Sequence, residues 1–163
     1  MEAAVWVGLL TSQAPGPLDL VSAPALAKEL GIKMSVSHDP APLGEGSEGV
    51  VTVTVSQPGI GPVPIMGTVV AGEPLLTRVE RSGFSEPVTL RGRIVVYHSK
   101  SDPANVTAIS ETLSKAGVAV QSHTESAATD QFLWGIMHVD KAVTEDVRQA
   151  LFKNAEVVQQ IEF

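Results

Sequence analysis

The sequence predicts an α+β fold, and two hydrophobic patterns are the basis of that prediction. Val50–Ser56 reads V-V-T-V-T-V-S, and this alternation of β-branched residues is typical of a strand with one buried face. From Arg93 to Phe163 the apolar spacing changes repeatedly between the two-residue period of strands and the longer period of helices. The chain is therefore expected to contain both strands and short helices.

The second half of the chain is predicted to have the element order βαββαβ. Its first strand is Arg93–His98, and Asp102 and Pro103 are expected to start the next helix as N-cap and first helical residue. That helix is expected to end at Gly117. The later elements are expected at Val118–Thr124, Phe132–Val139, Glu145–Lys153 and Val157–Phe163. This order is the split-βαβ plan of a ferredoxin-like sandwich.

The first half contains more turn residues. Ala3–Leu10 is an apolar run that fits either a helix or a buried strand, and Ser22 is expected to cap a short helix. The Gly, Ser and Pro of Arg81–Pro87 indicate a boundary, so we divide the chain into domains at 1–87 and 88–163. Strands of the first domain are expected at Ile32–Ser37, Val50–Ser56, Ile65–Val70 and Leu75–Glu80.

The composition excludes several classes of protein. With 44% hydrophobic and 18% charged residues, the chain is able to bury a core and is not a disordered tail. A net charge of −7 has the wrong sign for binding nucleic acid or an anionic membrane. The absence of cysteine excludes disulfides and thiolate zinc sites. No apolar run approaches the ~18 residues that span a bilayer, so we expect a soluble cytoplasmic protein.

One glycine-rich segment matches a dinucleotide-binding motif only superficially. Gly44, Gly46 and Gly49 satisfy G-x-G-x-x-G, but the segment leads into the strand pattern of Val50–Val55 and not into a helix. Without a helix N-terminus the backbone N–H groups do not converge on a pyrophosphate, and two glutamates in the segment would repel one. We therefore interpret it as a hairpin loop and expect no NAD site in this chain.

Residues suited to metal binding or catalysis form no recognisable motif. The four histidines, His38, His98, His123 and His138, are not spaced like metal ligands, so no metal site is expected. No G-x-S-x-G sequence marks a nucleophilic serine, and no catalytic residue is assigned. His98 with Asp102 is the basis of one alternative, a small hydrolase or isomerase.

Several segments, in order, resemble the C-terminal regulatory region of the long-form D-3-phosphoglycerate dehydrogenase family. The allosteric substrate-binding domain of that family is similar to Asp19–Pro42, which reads D-L-V-S-A-P-A-L-A-K-E-L-G-I-K-M-S-V-S-H-D-P-A-P. The opening of its ACT domain is similar to the segment from Leu90, L-R-G-R-I-V-V-Y-H-S-K-S-D-P-A-N-V. A-G-V-A-V at Ala116–Val120 and G-I-M-H-V-D-K-A-V-T-E-D-V at Gly135–Val147 follow in the family's order. The S-D-P-A sequence is nearer to the animal branch than to the bacterial one.

The resemblance implies a non-catalytic regulatory and oligomerisation region. Residues 1–87 would be an allosteric substrate-binding domain with a mixed sheet, lacking its first strand, and residues 88–163 an ACT-like domain through which copies associate. The catalytic half would lie upstream in the same polypeptide, whose reaction uses NAD and begins L-serine biosynthesis. A free-standing ACT-type amino-acid-sensing module is the alternative.

The resemblance also implies two sets of binding residues. Bacterial relatives hold L-serine where ACT domains pair, using polar side chains before the proline and an asparagine on the next strand. Here His98, Ser99 and Ser101 match the first group. Ala119 replaces the asparagine, so weak serine binding is expected. The basic candidates for binding a phosphorylated effector or substrate analogue are Lys33, Arg78 and Arg81. Arg78 and Arg81 belong to a denser group of arginines, for which ordinary solvent-exposed charge is the alternative interpretation.

Overall fold

The structure is a computed structural model that describes residues 2–11, 16–33, 47–57 and 60–163. The chain separates into two compact units, residues 1–42 and 43–163. The functional division predicted at residues 87 and 88 stays a prediction. His38 and the first two glycines of the G-x-G-x-x-G segment lie outside the described residues, as does the strand expected at Ile32–Ser37 beyond residue 33.

The first unit contains two helices, α1 (Glu2–Leu10) and α2 (Ser22–Glu29). They bury an apolar cluster between them, so the apolar run at Ala3–Leu10 is a helix and not a strand. The buried members of this cluster are Trp6, Leu10, Ala23 and Ala27.

The N-terminus of α2 is capped by Asp19, and the prediction of Ser22 as the cap was wrong. One carboxylate oxygen of Asp19 accepts the backbone N–H of Ser22 at 2.7 Å and that of Val21 at 2.9 Å. These bonds, those of Ser22 first, lower the pKa of Asp19. Asp19 is the capping residue because it precedes the first turn of the helix, where its carboxylate can accept two backbone N–H groups that have no partner within the helix. Ser22 is already the first helical residue.

The second unit begins with a four-stranded sheet in the order β1-β2-β3-β4. All of its described pairings are antiparallel, so the mixed sheet expected for the first domain is not found among the described residues. The strand predicted at Val50–Ser56 is confirmed within β1. The segment Arg81–Pro87 is a turn and a strand and not a linker. The strands are β1 (Ser47–Gln57), β2 (Ile60–Val70), β3 (Glu73–Val79) and β4 (Ser82–Thr89).

The chain then forms the predicted order βαββαβ. Its four strands pair antiparallel in the order β6-β7-β5-β8. Asp102 is confirmed as the N-cap of α3, since its carboxylate accepts the N–H of Ala104 at 2.9 Å. The elements are β5 (Arg93–Lys100), α3 (Pro103–Lys115), β6 (Val120–Glu125), β7 (Phe132–Val139), α4 (Glu145–Leu151) and β8 (Val157–Glu162).

The second sheet is covered on both faces. On one face Tyr97 and Val95 pack against the helices, mainly against Ile109 and Leu113 of α3. On the other face Ile94 and Ile136 meet apolar side chains of β3 and β4, namely Leu76, Val79, Phe84 and Val88. The α+β class predicted from the sequence is confirmed.

Candidate functional site

A polar cluster lies on the helix-covered face of the second sheet. The hydroxyl of Tyr97 is 2.7 Å from Nε2 of His123 and 3.3 Å from Oε1 of Glu125. The rings of Tyr97 and His123 are stacked with their centroids 6.0 Å apart. Tyr97 belongs to β5 and the other two residues to β6, so the cluster joins strands that are not neighbours.

Gly135 of β7 makes this contact possible. The strand register places it directly between Tyr97 and Glu125. Because Gly135 has no side chain, the tyrosine ring can lie across β7 and reach β6. Sequence reasoning assigned no role to these residues. The one available signal was a tyrosine and a glycine inside otherwise aliphatic strands.

Burial disfavours a charge on the tyrosine and on the histidine of this cluster. Burial, followed by the nearby charge of Glu125, raises the pKa of Tyr97, so the phenol stays protonated. Burial lowers the pKa of His123, which favours the uncharged imidazole at neutral pH. An uncharged phenol and imidazole beside one carboxylate can accept and donate hydrogen bonds to a small polar ligand.

A cavity of about 340 Å³ opens beside the cluster at the N-terminal end of α3. Glu125 and His123 provide polar groups on its sheet side, and Val106 and Leu133 provide apolar surface. Its volume is at the lower end of the range of small-molecule sites. The complete lining is Ser101, Asp102, Pro103, Val106, Thr107, His123, Glu125 and Leu133.

The residues predicted to bind an effector are only partly brought together. Ser101 lines the α3 cavity. Ser99 is buried on the same face of β5 as Tyr97, and its hydroxyl donates to the carbonyl of Lys100 at 3.2 Å. His98 points to the opposite face, because successive residues of a strand alternate.

Ala119 lies at the far end of the same sheet. Its backbone N–H donates to Oδ1 of Asp140 at 2.8 Å, and the residue is exposed. Val120 pairs with Val139 at that end, whereas Lys100 pairs with Phe132 at the other. The seven residue steps from Phe132 to Val139 correspond to roughly 23 Å along the sheet. Within one chain, Ala119 is therefore not part of the α3 cavity.

The environment of His98 does not match the alternative of a His98–Asp102 catalytic pair. Its ring stacks on Phe132 and tilts against Trp134, with centroid distances of 5.1 and 4.7 Å. The nearest carboxylate is that of Glu156, 3.5 Å from Nδ1, whereas the carboxylate of Asp102 caps α3. The hydrolase or isomerase reading thus loses the pair of residues on which it was based.

The basic candidates for an anion site belong to different elements of the two units. Arg81 lines a cavity of about 150 Å³ with His98, but its guanidinium is paired with Asp130 at 2.6 Å, and both side chains are largely exposed. Arg78 is an exposed residue of β3, and exposed Lys33 follows α2 in the first unit. The other residues that line this cavity are Glu80, Ser82, Thr129, Asp130 and Phe132.

Metal-binding clusters and membrane-spanning helices are both absent from the described residues. Within residues 2–11, 16–33, 47–57 and 60–163, no three His, Asp or Glu residues are grouped so that they could hold a metal ion. In the same part of the chain, no helix has the length and apolar character needed to cross a membrane.

The fold and the α3 cavity define an α+β protein with a small, partly polar cavity at one end of a βαββαβ sheet. The chain is 31% identical over 143 residues to the D-3-phosphoglycerate dehydrogenases of Homo sapiens and Pongo abelii, a match to 85% of this chain. It is also 31% identical over 141 residues to that of Rattus norvegicus, a match to 84% of this chain. The resemblance to D-3-phosphoglycerate dehydrogenase predicted from the sequence is confirmed.

The match covers only part of each of these relatives. The chain spans about a quarter of the length of these enzymes, 27% for the human protein and 26% for the rat protein. No protein-family model matches the chain.

Proposed function

We propose that this chain is a regulatory, non-catalytic region of a D-3-phosphoglycerate dehydrogenase, a cytoplasmic NAD-dependent oxidoreductase of L-serine biosynthesis. The observation that supports this most strongly is the unequal coverage of the match. It extends over 85% of this chain but over 27% of the human relative, as expected for one part of a longer enzyme. The catalytic half of the same polypeptide, with its NAD site, is the partner that this region would regulate.

The proposed regulatory domain is the ACT-like part at residues 88–163, with residues 1–87 as the allosteric substrate-binding part. The element order βαββαβ and the strand order β6-β7-β5-β8 support the first assignment. The second assignment depends on the homology. The effector is proposed to be a small amino acid that binds in the α3 cavity.

A second copy of the chain would complete this effector site. β6 is an edge strand of its sheet, and edge strands are available for pairing with another chain. Antiparallel pairing of Val120–Thr124 with the same strand of a second copy would bring that copy's Ala119 next to Glu125, short of Ser126, which already bridges to Phe84 of β4. Glu125 lines the cavity with Ser101. Ala119, the position that the family resemblance assigns to effector binding, would therefore reach the cavity from the neighbouring copy. The ACT-like domain would then form a homo-oligomer.

A phosphorylated effector is proposed for residues 1–87, with Arg78 and Arg81 as the candidates in the second unit and Lys33 as a separate candidate in the first. Arg81 would have to exchange Asp130 for the ligand, which is feasible because an exposed ion pair is worth at most about 1 kcal/mol.

The proposal is tested by NADH formation from 3-phosphoglycerate and NAD⁺, measured with this chain alone and with an intact phosphoglycerate dehydrogenase. We expect no turnover by the chain alone. NADH formation proportional to its concentration would contradict a non-catalytic role. Sequencing of the transcript separates this proposal from the free-standing sensor. A reading frame that continues upstream into dehydrogenase domains supports the proposal, and an in-frame stop codon before Met1 supports the sensor.

A further inference from the structure

β1 presents a long apolar edge to its surroundings. It is the first strand in the order β1-β2-β3-β4, and among the described strands it pairs only with β2. Its side chains remain accessible on both faces of the sheet, with exposed fractions of 55% for Val50, 38% for Val51 and 36% for Val55. Natural edge strands are usually protected by charge or proline, and the central residues of β1 contain neither.

The sequence of β1 is nearly symmetric about Val53. In V-V-T-V-T-V-S, Thr52 and Thr54 flank the centre, and Val51 and Val55 follow on either side. If two copies of this strand paired antiparallel around Val53, threonine would lie opposite threonine and valine opposite valine. Such cross-strand pairs are favourable, and β-branched residues suit a pleated surface.

The charge distribution favours a second copy of this chain as the partner that covers the edge of β1. The chain has a net charge of −7, so two copies repel each other over most of their surfaces. The segment between Glu48 and Glu73 contains no charged residue. This segment holds nearly all of the hairpin that β1 and β2 form. Two copies can therefore approach along this hairpin without placing like charges opposite each other.

We propose that two copies of this chain associate through antiparallel pairing of β1 around Val53, which joins their first sheets into one sheet of eight strands. This surface is separate from the β6 edge, and it does not depend on the regulatory role proposed above. Pairing of one strand buries less than the roughly 1,200–2,000 Å² of a stable interface, so the dimer is expected to be weak and concentration-dependent.

The natural absence of cysteine makes a direct test possible, because one introduced thiol can react only with the same thiol in another copy. In the proposed register Val53 lies opposite itself, where β-carbons are about 4.5–5.5 Å apart, and a shift of the two edge strands by about 1 Å brings them to the separation of a disulfide. Val55 lies opposite Val51, so two Val55 positions are too far apart. The variants Val53→Cys and Val55→Cys are matched, since both replace a valine on the same face of β1.

Both variants are oxidised at several protein concentrations, and the disulfide-linked dimer is measured on non-reducing gels. We expect Val53→Cys to form dimer at least about tenfold faster than Val55→Cys, and the double variant Val51→Cys/Val55→Cys to link as well. Circular dichroism checks that each variant retains the fold of the unmodified chain. Equal rates for the two single variants, or faster linking of Val55→Cys, would overturn the proposed pairing. The absence of linking in all three variants would overturn it too.

Discussion

The aromatic ring of Tyr97 lies against the backbone of Gly135, so closely that a β-carbon on Gly135 would overlap the phenol. The two residues are paired in the register of β5 and β7. This packing allows the buried tyrosine to contact His123 and Glu125 of β6, and it positions the polar wall of the α3 cavity. The missing side chain at position 135 is thus as important for the candidate site as the side chains around it.

Replacement of Gly135 by alanine is expected to lower the free energy of unfolding by about 1–3 kcal/mol or more, because the buried ring has to move. Denaturant unfolding followed by circular dichroism measures the change. Gly83→Ala is the matched control, since a β-carbon at this strand position would meet its nearest neighbour, the carbonyl oxygen of Thr77, at an ordinary 3.9 Å. Equal free energies of unfolding for the two variants would contradict the role assigned to Gly135.

The stability of the fold is expected to decrease in mild acid because of His123. Burial lowers the pKa of this histidine from its ordinary value of 6.5, with the charge of Glu125 acting in the opposite direction. Below pH 6.5 the unfolded chain binds a proton that the folded chain resists. The uncharged His123 therefore does not reduce the free energy of unfolding above pH 6.5. As the pH falls below that value, protonation of the unfolded chain lowers the free energy of unfolding. Free energies of unfolding between pH 8 and pH 5 should show a smaller decrease for His123→Gln than for the natural chain, and identical decreases would refute this.

Phe84 is expected to be a main stabilising contact between the two sheets. It is 8% exposed and packs in the cluster that contains Ile94 and Ile136 of the second sheet. Phe84→Ala should lower the free energy of unfolding by about 3–5 kcal/mol, the usual loss for a buried phenylalanine. Phe163, which is 56% exposed, provides the control, since Phe163→Ala should change the value by no more than about 0.5 kcal/mol. A small effect at Phe84 would mean that the sheets are stable independently of each other.

Restoring an amide at position 119 is expected to strengthen the binding of L-serine. Ala119 is exposed and holds Asp140 through its backbone alone, so asparagine fits without loss of that bond. One added hydrogen bond should increase serine affinity by on the order of 1 kcal/mol. Calorimetry on the natural chain and on Ala119→Asn measures it. Tight serine binding by the natural chain would refute the role of the missing amide.

Periodicity alone predicted much of the fold. β7 was expected at Phe132–Val139 and is found there, because each of its faces is consistently apolar. The glycine and proline of Arg81–Pro87 suggested a boundary, and in the structure this segment is a turn and part of β4. β4 is an edge strand, where a proline without an N–H group is tolerated.

The candidate site was less predictable than the fold. Tyr97 meets β6 only because β7 lies between β5 and β6 in the sheet and because Gly135 leaves room there. Neither fact follows from the spacing of residues along the chain. Ser101 lies at the cavity because its position directly before Asp102 and Pro103 places it at the start of α3, and its role in binding an effector stays a prediction.

Ligand-induced stabilisation of this chain tests the central claim, that it is a regulatory and not a catalytic region, most directly. Its melting temperature is measured with L-serine, glycine, 3-phosphoglycerate, phosphohydroxypyruvate and, separately, NAD. At about a hundred times its Kd, a bound ligand stabilises the folded chain by about 2.7 kcal/mol. We predict that at least one of the first four compounds stabilises the chain and that NAD does not. Stabilisation by NAD, or by none of the five compounds, would contradict the proposed role.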